Sequence, residues 1–372
     1  MIQHERLIAE FMELVQIDSE TKYERRIADV LTDKFRSLGL SVYEDNAAEK
    51  TGHGAGNLIC TLEGDAEVDP VYFTSHMDTV VPGKGVNPIR EDGVIRSDGT
   101  TVLGADDKAG IAAMLEGIRA LKEEAVNHGT LQFIITVGEE AGLAGAKSLL
   151  ATDIRAVYGY AFDSDGKVGT LITAAPNQAK MDVVVHGKKA HAGVAPEKGI
   201  SAITVASEAV SSMPLGRIDE DTTANIGRIE GGGATNVVCD RVDIQAEARS
   251  LVKNKLTEQI QAMEKAFHKA ADSYNASADI QTRHVYPGFK HQENDEIVTI
   301  AKRAVSSIGR EACVKQSGGG SDANVIAGLG IPTMNLGIGY EDIHTTSEHI
   351  PEEELIKAAE LLVSLVQEAA KK

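Results

Sequence analysis

The sequence is poor in cysteine and in long apolar segments. Its three cysteines, Cys60, Cys239 and Cys313, are far apart, so they resemble neither a disulfide framework nor a zinc cluster. We expect them to be small buried side chains in a protein of the reducing cytoplasm. No segment approaches the roughly 18 apolar residues of a membrane span, and the first 17 residues form an amphipathic helix pattern rather than a signal peptide.

Basic residues are also scarce. There are 37 Lys and Arg against 56 Asp and Glu, which gives a net charge of −19. Nucleic acids and anionic membranes bind basic patches, so neither is expected as a partner. At 372 residues, with 42% hydrophobic and 25% charged residues, the chain has the composition of an ordinary soluble protein and predicts two domains.

Helix and strand patterns alternate in the first part of the chain. Helices are predicted over 3–17, 22–38 and from Asp107 to about Glu124, the second closed by Gly39. The segments "NLICTLEG", "VYFTSH", "TLQFIITVG" and "RAVYGYAFD" read as strands. This alternation predicts an α/β domain with helices flanking a buried mixed sheet over residues 1–177.

The pattern changes after "AAPNQAK". Over 178–290 the predicted order is β-α-β-β-α-β, with helices at 200–213 and 253–275, which is typical of a ferredoxin-like α+β domain. Helices at 293–307 and 351–370, with the strand "IPTMNLG" between them, then restore the α/β pattern over 291–372. The ferredoxin-like domain is therefore predicted to be an insertion.

Acidic residues and histidines follow the predicted strands. Open α/β sheets bind ligands beyond the carboxyl ends of their strands, so these side chains are expected to converge there although they are distant in sequence. The residues concerned are His76, Asp78, Glu139, Glu140, Asp163 and His344, together with Asp106 and Asp107 before a helix.

Two imidazoles with several carboxylates suit Zn²⁺, Co²⁺ or Mn²⁺. The donors exceed what one tetrahedral ion needs and suit two ions that share one carboxylate. Each residue alone also has a simpler explanation, since acids at strand ends usually face water and an Asp before a helix usually caps it. The joint pattern is what predicts a metal site.

The motifs "SHMDTV", "GADDKAG", "VGEEAG" and "AFDSDG", with the late His344, resemble those of the M20 metallopeptidase family, most of all its peptidase T branch. The segments "PNQAKMDVVVHGKKAHAG" and "GGGATNVVCD" resemble the inserted domain of that branch. The likeness runs over nearly the whole chain. It implies a metal-dependent exopeptidase α/β fold with an inserted dimerisation or lid domain.

The resemblance also implies roles for single residues. His76 and Asp163 would hold one metal, Glu140 and His344 the other, and Asp106 would bridge them. Glu139 would be the general acid and base for attack by a metal-bound hydroxide on a peptide carbonyl, and Asp78 would orient His76. The family has a cis peptide bond after the bridging aspartate, here Asp106–Asp107.

Further implied roles concern the substrate. His191 would come from the inserted domain of a partner subunit and stabilise the oxyanion, which makes a homodimer necessary. Asn236 and Arg249 are candidates for substrate contacts, although Arg249 could equally belong to a solvated charged face. The run "SGGGSDAN", including Gly319 and Gly320, fits an anion site for a substrate carboxylate better than a phosphate loop.

Two positions depart from the peptidase T pattern. Gly318 stands where that branch has an arginine, and the run "TTSEH" after His344 lacks its basic residue, so strict tripeptide specificity is not predicted. The expected activity is aminopeptidase action on short peptides. An M20 carboxypeptidase, an N-acyl-amino-acid deacylase and a non-catalytic metal-binding protein are the alternatives.

Overall fold

The periodic segments of the sequence form nine α-helices and seventeen strands in residues 1–371, the part of the chain that the computed structural model describes. The helices are α1 His4–Val15, α2 Arg25–Ser37, α3 Ala47–Thr51, α4 Ala105–Glu123, α5 Ala202–Ser212, α6 Lys253–Ser273, α7 Glu296–Ser307, α8 Asp322–Gly328 and α9 Glu352–Ala369. Short 3₁₀ turns lie at Ala146–Ser148, Ala151–Asp153 and Pro196–Lys198.

The strands of the first half are β1 Ser41–Glu44, β2 Leu58–Leu62, β3 Val71–His76, β4 Ile89–Glu91, β5 Val94–Arg96, β6 Leu131–Thr136, β7 Tyr158–Ser164 and β8 Thr170–Ala175. Those of the second half are β9 Asn177–His186, β10 Gly216–Arg217, β11 Thr222–Gly231, β12 Arg241–Ser250, β13 Ser277–Tyr286, β14 Phe289–Lys290, β15 Cys313–Gln316, β16 Thr333–Gly337 and β17 His349–Pro351.

The chain folds into two units. Unit 1 comprises Met1–Ala174, His291–Gln316 and the chain from Ser321 onward, and unit 2 comprises Ala175–Lys290 with Ser317–Gly320. The first segment of unit 1 is therefore separated in sequence from the other two by Ala175–Lys290 of unit 2. The chain also visits unit 2 a second time, for the four residues of Ser317–Gly320.

A mixed sheet forms the centre of unit 1. Its strands lie in the order β1-β2-β6-β3-β7-β16-β8, and β15 pairs with β8. Strands β6, β3, β7 and β16 are mutually parallel, whereas β2 and β8 run antiparallel to their neighbours β6 and β16. The four parallel strands therefore end at one edge of the sheet, which is the α/β architecture predicted from the sequence.

The core of unit 1 explains why its strands read as continuous apolar runs. Every residue of β3 and β6 is buried, as expected for strands covered on both faces. The rings of Phe35, Phe133, Phe73 and Tyr160 stack in sequence, with centroids 5.6–6.2 Å apart. Helix α4 packs against α1 and α9 and is buried over most of its length.

Unit 2 has the predicted β-α-β-β-α-β order. Its antiparallel sheet runs β10-β11-β12-β9-β13, and helices α5 and α6 pack against the sheet and against each other. Along β12 buried residues alternate with more exposed ones, and Val242, Ile244, Ala246 and Ala248 are buried. Arg249 consequently lies on the polar face, as the alternation of the sequence predicts.

Several details differ from the sequence prediction. The strand patterns did not predict β1, β4, β5, β10, β14, β15 and β17, which have two to four residues each, and they also missed the six-residue β8. Gly39 does follow α2 in a left-handed conformation, with φ 85°. The prediction of three buried cysteines was wrong, because Cys60 is buried but Cys239 is intermediate and Cys313, on β15, is exposed. Within residues 1–371, no helix is long and apolar enough to cross a membrane.

Candidate metal centre

The carboxyl ends of the parallel strands bring the predicted site residues of unit 1 together. His76 is the last residue of β3, Asp163 is the penultimate residue of β7, and Glu139 and Glu140 follow β6 within four residues. His344 follows β16 after a loop. A cluster at this edge results from the parallel order of the strands, since residues at the ends of parallel neighbours lie side by side.

Asp106 lies at the centre of this cluster, between two histidines. Its Oδ1 is 3.0 Å from Nε2 of His76, and its Oδ2 is 3.2 Å from Nε2 of His344. The carboxylate thus presents one oxygen to each imidazole. Asp106 stands at the start of α4, where the peptide bond Asp106–Asp107 is cis, which confirms the expectation from the resemblance.

The remaining donors surround this core. Oε1 of Glu140 is 2.8 Å from Nε2 of His344, and Oδ1 of Asp163 is 3.7 Å from Nε2 of His76. Two sets of side chains bring their donor atoms within 4.8 Å of one another: His76, Asp106 and Glu140, and His76, Asp107 and Asp163. Asp107, to which the resemblance gives no metal-binding role, is therefore also a potential ligand.

The two imidazoles respond to the carboxylates around them. Burial opposes protonation of His76, but its hydrogen bonds with Asp106 and Asp78 raise the pKa of the imidazole well above its usual value. Hydrogen bonds with Asp106 and Glu140 raise the pKa of His344 to about 10. Both imidazoles lie where a cation is stabilised.

Glu139 lies in the opposite environment. Burial, together with the negative charge of Asp163, raises the pKa of Glu139 well above the usual value for a glutamate. The same two kinds of cause, burial and neighbouring carboxylates, raise the pKa values of Asp107 and Asp163. Acidic groups crowded in a buried place resist ionisation.

Asp78 anchors the turn that carries the two glutamates. Its Oδ1 accepts a hydrogen bond from the amide of Glu139 at 3.0 Å, and its Oδ2 accepts from the amide of Glu140 at 3.4 Å and from Oγ1 of Thr21 at 2.8 Å. Nδ1 of His76 is 2.9 Å from the main-chain oxygen of Asp78 and 3.6 Å from its Oδ1. Both the backbone and the carboxylate of Asp78 thus contact groups of the cluster.

Two supporting residues were missed by the sequence analysis. The buried carboxylate of Glu348 accepts hydrogen bonds from the amides of Gly104 at 2.8 Å and Asp106 at 2.9 Å. The side chain of Asn335 brackets Asp163, accepting from its amide at 3.1 Å and donating to its carbonyl at 2.6 Å. Glu348 stands four residues after His344, in the run "TTSEH", and that proximity was the available signal.

The donor chemistry fits divalent cations. Two imidazoles and several carboxylates are ligands of borderline hardness, and one carboxylate can be shared. Within the described residues, Oδ1 of Asp107 is buried and has no hydrogen-bond partner. The same holds for Oδ1 of Asp322, the first residue of α8, whose Oδ2 accepts a hydrogen bond from Oγ1 of Thr136 at the end of β6. Buried carboxylate oxygens without partners are costly unless a cation lies nearby. The cluster therefore suits divalent metal ions.

Unit 2 brings two predicted substrate residues together. His191 forms an isolated β-bridge with Val237, and the amide of Ala192 donates to the carbonyl of Asn236 at 2.9 Å. Both His191 and Asn236 are exposed. The segments "KAHAG" and "GATN" are thus neighbours within this unit.

Arg249 lies beside the glycine-rich segment of unit 2. Its guanidinium donates to Oε1 of Glu247 at 2.9 Å and to the carbonyl of Gly318 at 3.0 Å. The amide of Gly319 donates to Oγ of Ser317 at 3.0 Å, and Gly320 packs against the ring of Tyr286. The structure therefore places Arg249 next to the segment that contains Gly319 and Gly320.

Comparison with known proteins gives consistent matches. The sequence model of Peptidase family M20/M25/M40 matches residues 72–368. The uncharacterized protein YqjE of Bacillus subtilis (strain 168) is 62% identical over 371 residues, with 100% of both chains covered. The structures of the aminopeptidase PepT from Bacillus cereus ATCC 10987 and of a tripeptidase from Staphylococcus aureus subsp. aureus Mu50 are 61% and 47% identical, each with a TM-score of 0.97 and with 100% of both chains covered.

Fold and cluster together define a metal-dependent hydrolase built on an α/β sheet. Because the family match spans well over half of the sequence, the chain belongs to peptidase family M20/M25/M40. It is accordingly a metallopeptidase that acts with divalent metal ions.

The contacts of Glu348 lead to a first prediction. Glu348→Gln replaces one acceptor oxygen by an amide group, so one of the two amides at Gly104 and Asp106 loses its partner. Because residues that orient ligands contribute to metal affinity, we expect metal binding to weaken by about 10- to 100-fold, measured by titration of the apoprotein. The exposed Glu341→Gln is the matched control, and equal affinities of the two variants would contradict the positioning role.

Proposed function

We propose that the enzyme is a two-metal exopeptidase that releases N-terminal residues from short peptides, tripeptides foremost. The observation that carries this proposal is the Asp106 carboxylate, which presents one oxygen to each of two imidazoles beside Glu139. Removal of residues from the N-terminus is supported by the two similar proteins of known structure, an aminopeptidase that is 61% identical and a tripeptidase that is 47% identical.

The ligand roles follow the distances in the cluster. His76 and Asp163 would hold one ion, Glu140 and His344 the other, and Asp106 would bridge them. Zinc is the proposed metal, with cobalt or manganese as alternatives, because all three accept imidazole and carboxylate ligands. Divalent ions in such a pair supply Lewis-acid polarisation of a carbonyl and lower the pKa of bound water.

Glu139 would carry the proton through the reaction. Its carboxylate takes a proton from the attacking water and returns it to the departing amine, so one residue serves as base and then as acid. The raised pKa of Glu139 arises from burial and surrounding negative charge, and a carboxyl group with a raised pKa holds a proton more readily. No Ser or Cys nucleophile is needed for this route.

The residues of unit 2 would bind the peptide. Arg249 and the backbone at Gly319 and Gly320 would form an anion site for a substrate carboxylate, since the guanidinium bonds the carbonyl of the adjacent Gly318. Asn236 would hold the substrate backbone. His191 would reach the oxyanion from the partner subunit.

The proposed organisation has catalytic parts at 1–177 and 291–372 and a dimerisation and lid domain at 178–290. We further propose that this homodimer works in the cytoplasm on small peptides, with neither nucleic acid nor membrane as partner. The net charge of −19 and the scarcity of cysteine support that location. Recovery of the native enzyme in a membrane or secreted fraction would contradict it.

Glu139→Gln tests the acid and base role. The amide keeps the shape of the side chain but cannot accept the proton, so we expect kcat to fall by about 10²- to 10⁴-fold. Metal content, measured by elemental analysis, should stay unchanged and should show which ion the enzyme holds. The exposed Glu63→Gln is the control, and a Glu139→Gln enzyme with wild-type kcat would refute the assignment.

Acetylated peptides distinguish the aminopeptidase from its nearest alternatives. We expect a free tripeptide to be hydrolysed faster than the same peptide with an N-terminal acetyl group, because an aminopeptidase requires the free amine. Initial rates on matched pairs of peptides measure the difference. Faster cleavage of the acetylated form would favour a deacylase, and release of the C-terminal residue first would favour a carboxypeptidase.

The contribution of His191 predicts complementation between inactive subunits. In a dimer of one Glu139→Gln chain and one His191→Ala chain, one of the two sites has both wild-type residues. We expect each single variant to be nearly inactive as a homodimer, and the mixed dimer, purified with two different tags, to regain about half of the wild-type activity. A mixed dimer as inactive as its parents would show that His191 does not act across subunits.

A further inference from the structure

A buried acid–histidine pair lies in unit 1 outside the candidate metal ligands. Glu24, just before α2, and His53, between α3 and β2, have fully or almost fully buried side chains, and Nδ1 of His53 is 2.7 Å from Oε1 of Glu24. The Glu24 carboxylate also accepts hydrogen bonds from the amides of Lys22 at 2.9 Å and Gly54 at 3.0 Å. Neither the proposed chemistry nor the metal ligation uses this pair.

The imidazole of His53 packs directly against Gly138. A Cβ atom added at Gly138 would lie 2.1 Å from Cε1, 2.6 Å from Nδ1 and 2.7 Å from Nε2 of His53. Gly138 also has φ 59°, a left-handed conformation that favours glycine. The ring of His53 therefore contacts the backbone immediately before Glu139, and it lies too close to Gly138 for any side chain at that position.

The turn after Gly138 is held from several directions. The amide of Ala144 donates to the carbonyl of Gly138 at 2.9 Å, and the amide of Leu143 donates to that of Glu139 at 2.8 Å. Asp78 accepts from the amide of Glu139. These bonds fix the shape of the turn, and the ring of His53 provides a rigid surface at its start.

We propose that Glu24 and His53 form a positioning pair for Glu139. The carboxylate of Glu24 fixes the orientation of the imidazole, and the ring seats Gly138 so that the turn meets Asp78 with the Glu139 carboxylate at its working place. This inference rests on the proposed role of Glu139. A displacement of a catalytic group by about 1 Å can reduce a rate by about 10²-fold. The position of the turn is therefore expected to affect kcat more than substrate binding.

The first test compares two replacements of His53. His53→Ala removes the ring, and we expect kcat, measured at saturating metal because the same turn carries Glu140, to fall at least about tenfold while KM stays within about twofold. His53→Phe restores a planar ring against Gly138 but cannot form the hydrogen bond with Glu24, so it should recover part of the lost kcat and not all of it. The two variants thus separate the seating of the turn from the loss of a hydrogen bond.

The control for these replacements is Glu116→Gln. Glu116 is fully buried in α4 and accepts hydrogen bonds from Arg6 and from the amide of Gln3 at 2.8 Å. This variant should lower the unfolding temperature without lowering kcat. If His53→Ala behaves in the same way, with reduced stability and unchanged kcat, the positioning proposal is overturned.

A parallel Glu139→Gln enzyme distinguishes two failures. If Glu139→Gln is inactive but His53→Ala turns over normally, only the positioning proposal fails. If Glu139→Gln is fully active, the acid and base role fails, and the positioning of that side chain fails with it.

A second pair of variants tests the contact itself and does not depend on the stability of His53→Ala alone. Gly138→Ala places a methyl group against the ring and should lower kcat, and removal of the ring in the His53→Ala/Gly138→Ala double variant makes room for that methyl group. We therefore expect the double variant to lose less kcat than the product of the two single losses, as contacting residues do. Losses that multiply would show that the ring and the glycine act independently, which overturns the proposal.

Discussion

The catalytic unit depends on one buried carboxylate that lies between two imidazoles. Asp106 presents an oxygen to His76 and another to His344, and these three residues come from α4, β3 and the loop after β16. Such an arrangement requires the parallel strands to end at a common edge. It also requires the amide of Asp106 to be held, which Glu348 does from the far end of the chain.

Several acidic side chains lie close together at the carboxyl edge of the sheet in unit 1. Burial and mutual repulsion raise the pKa values of Glu139, Asp107 and Asp163, so the cluster is unfavourable without positive charge. Divalent ions would supply that charge. The acidic cluster lowers the stability of the metal-free fold locally, but it binds cations strongly. Apolar strands and the buried helix α4 provide the rigid surroundings that hold these groups in place.

Sequence patterns predicted the elements that depend on local periodicity and the residues that stand at strand ends. Both the α/β unit and the β-α-β-β-α-β order of unit 2 could be read in this way. The supporting contacts could not, because they join distant segments: Asp106 and Glu348 are 242 positions apart, and Glu24 and His53 are 29 positions apart. Short strands such as β4 and β17 have too few residues to show a period.

The brief return of the chain to unit 2 affects how this unit can be exchanged between related chains. Residues Ser317–Gly320 belong to unit 2 although they follow β15 of unit 1, and Arg249 binds the carbonyl of Gly318 among them. A genetic exchange that replaced only Ala175–Lys290 would leave Ser317–Gly320 of the original unit 2 in place. An exchange of unit 2 between related chains therefore has to carry both Ala175–Lys290 and Ser317–Gly320, because the hydrogen bond of Arg249 joins the two segments.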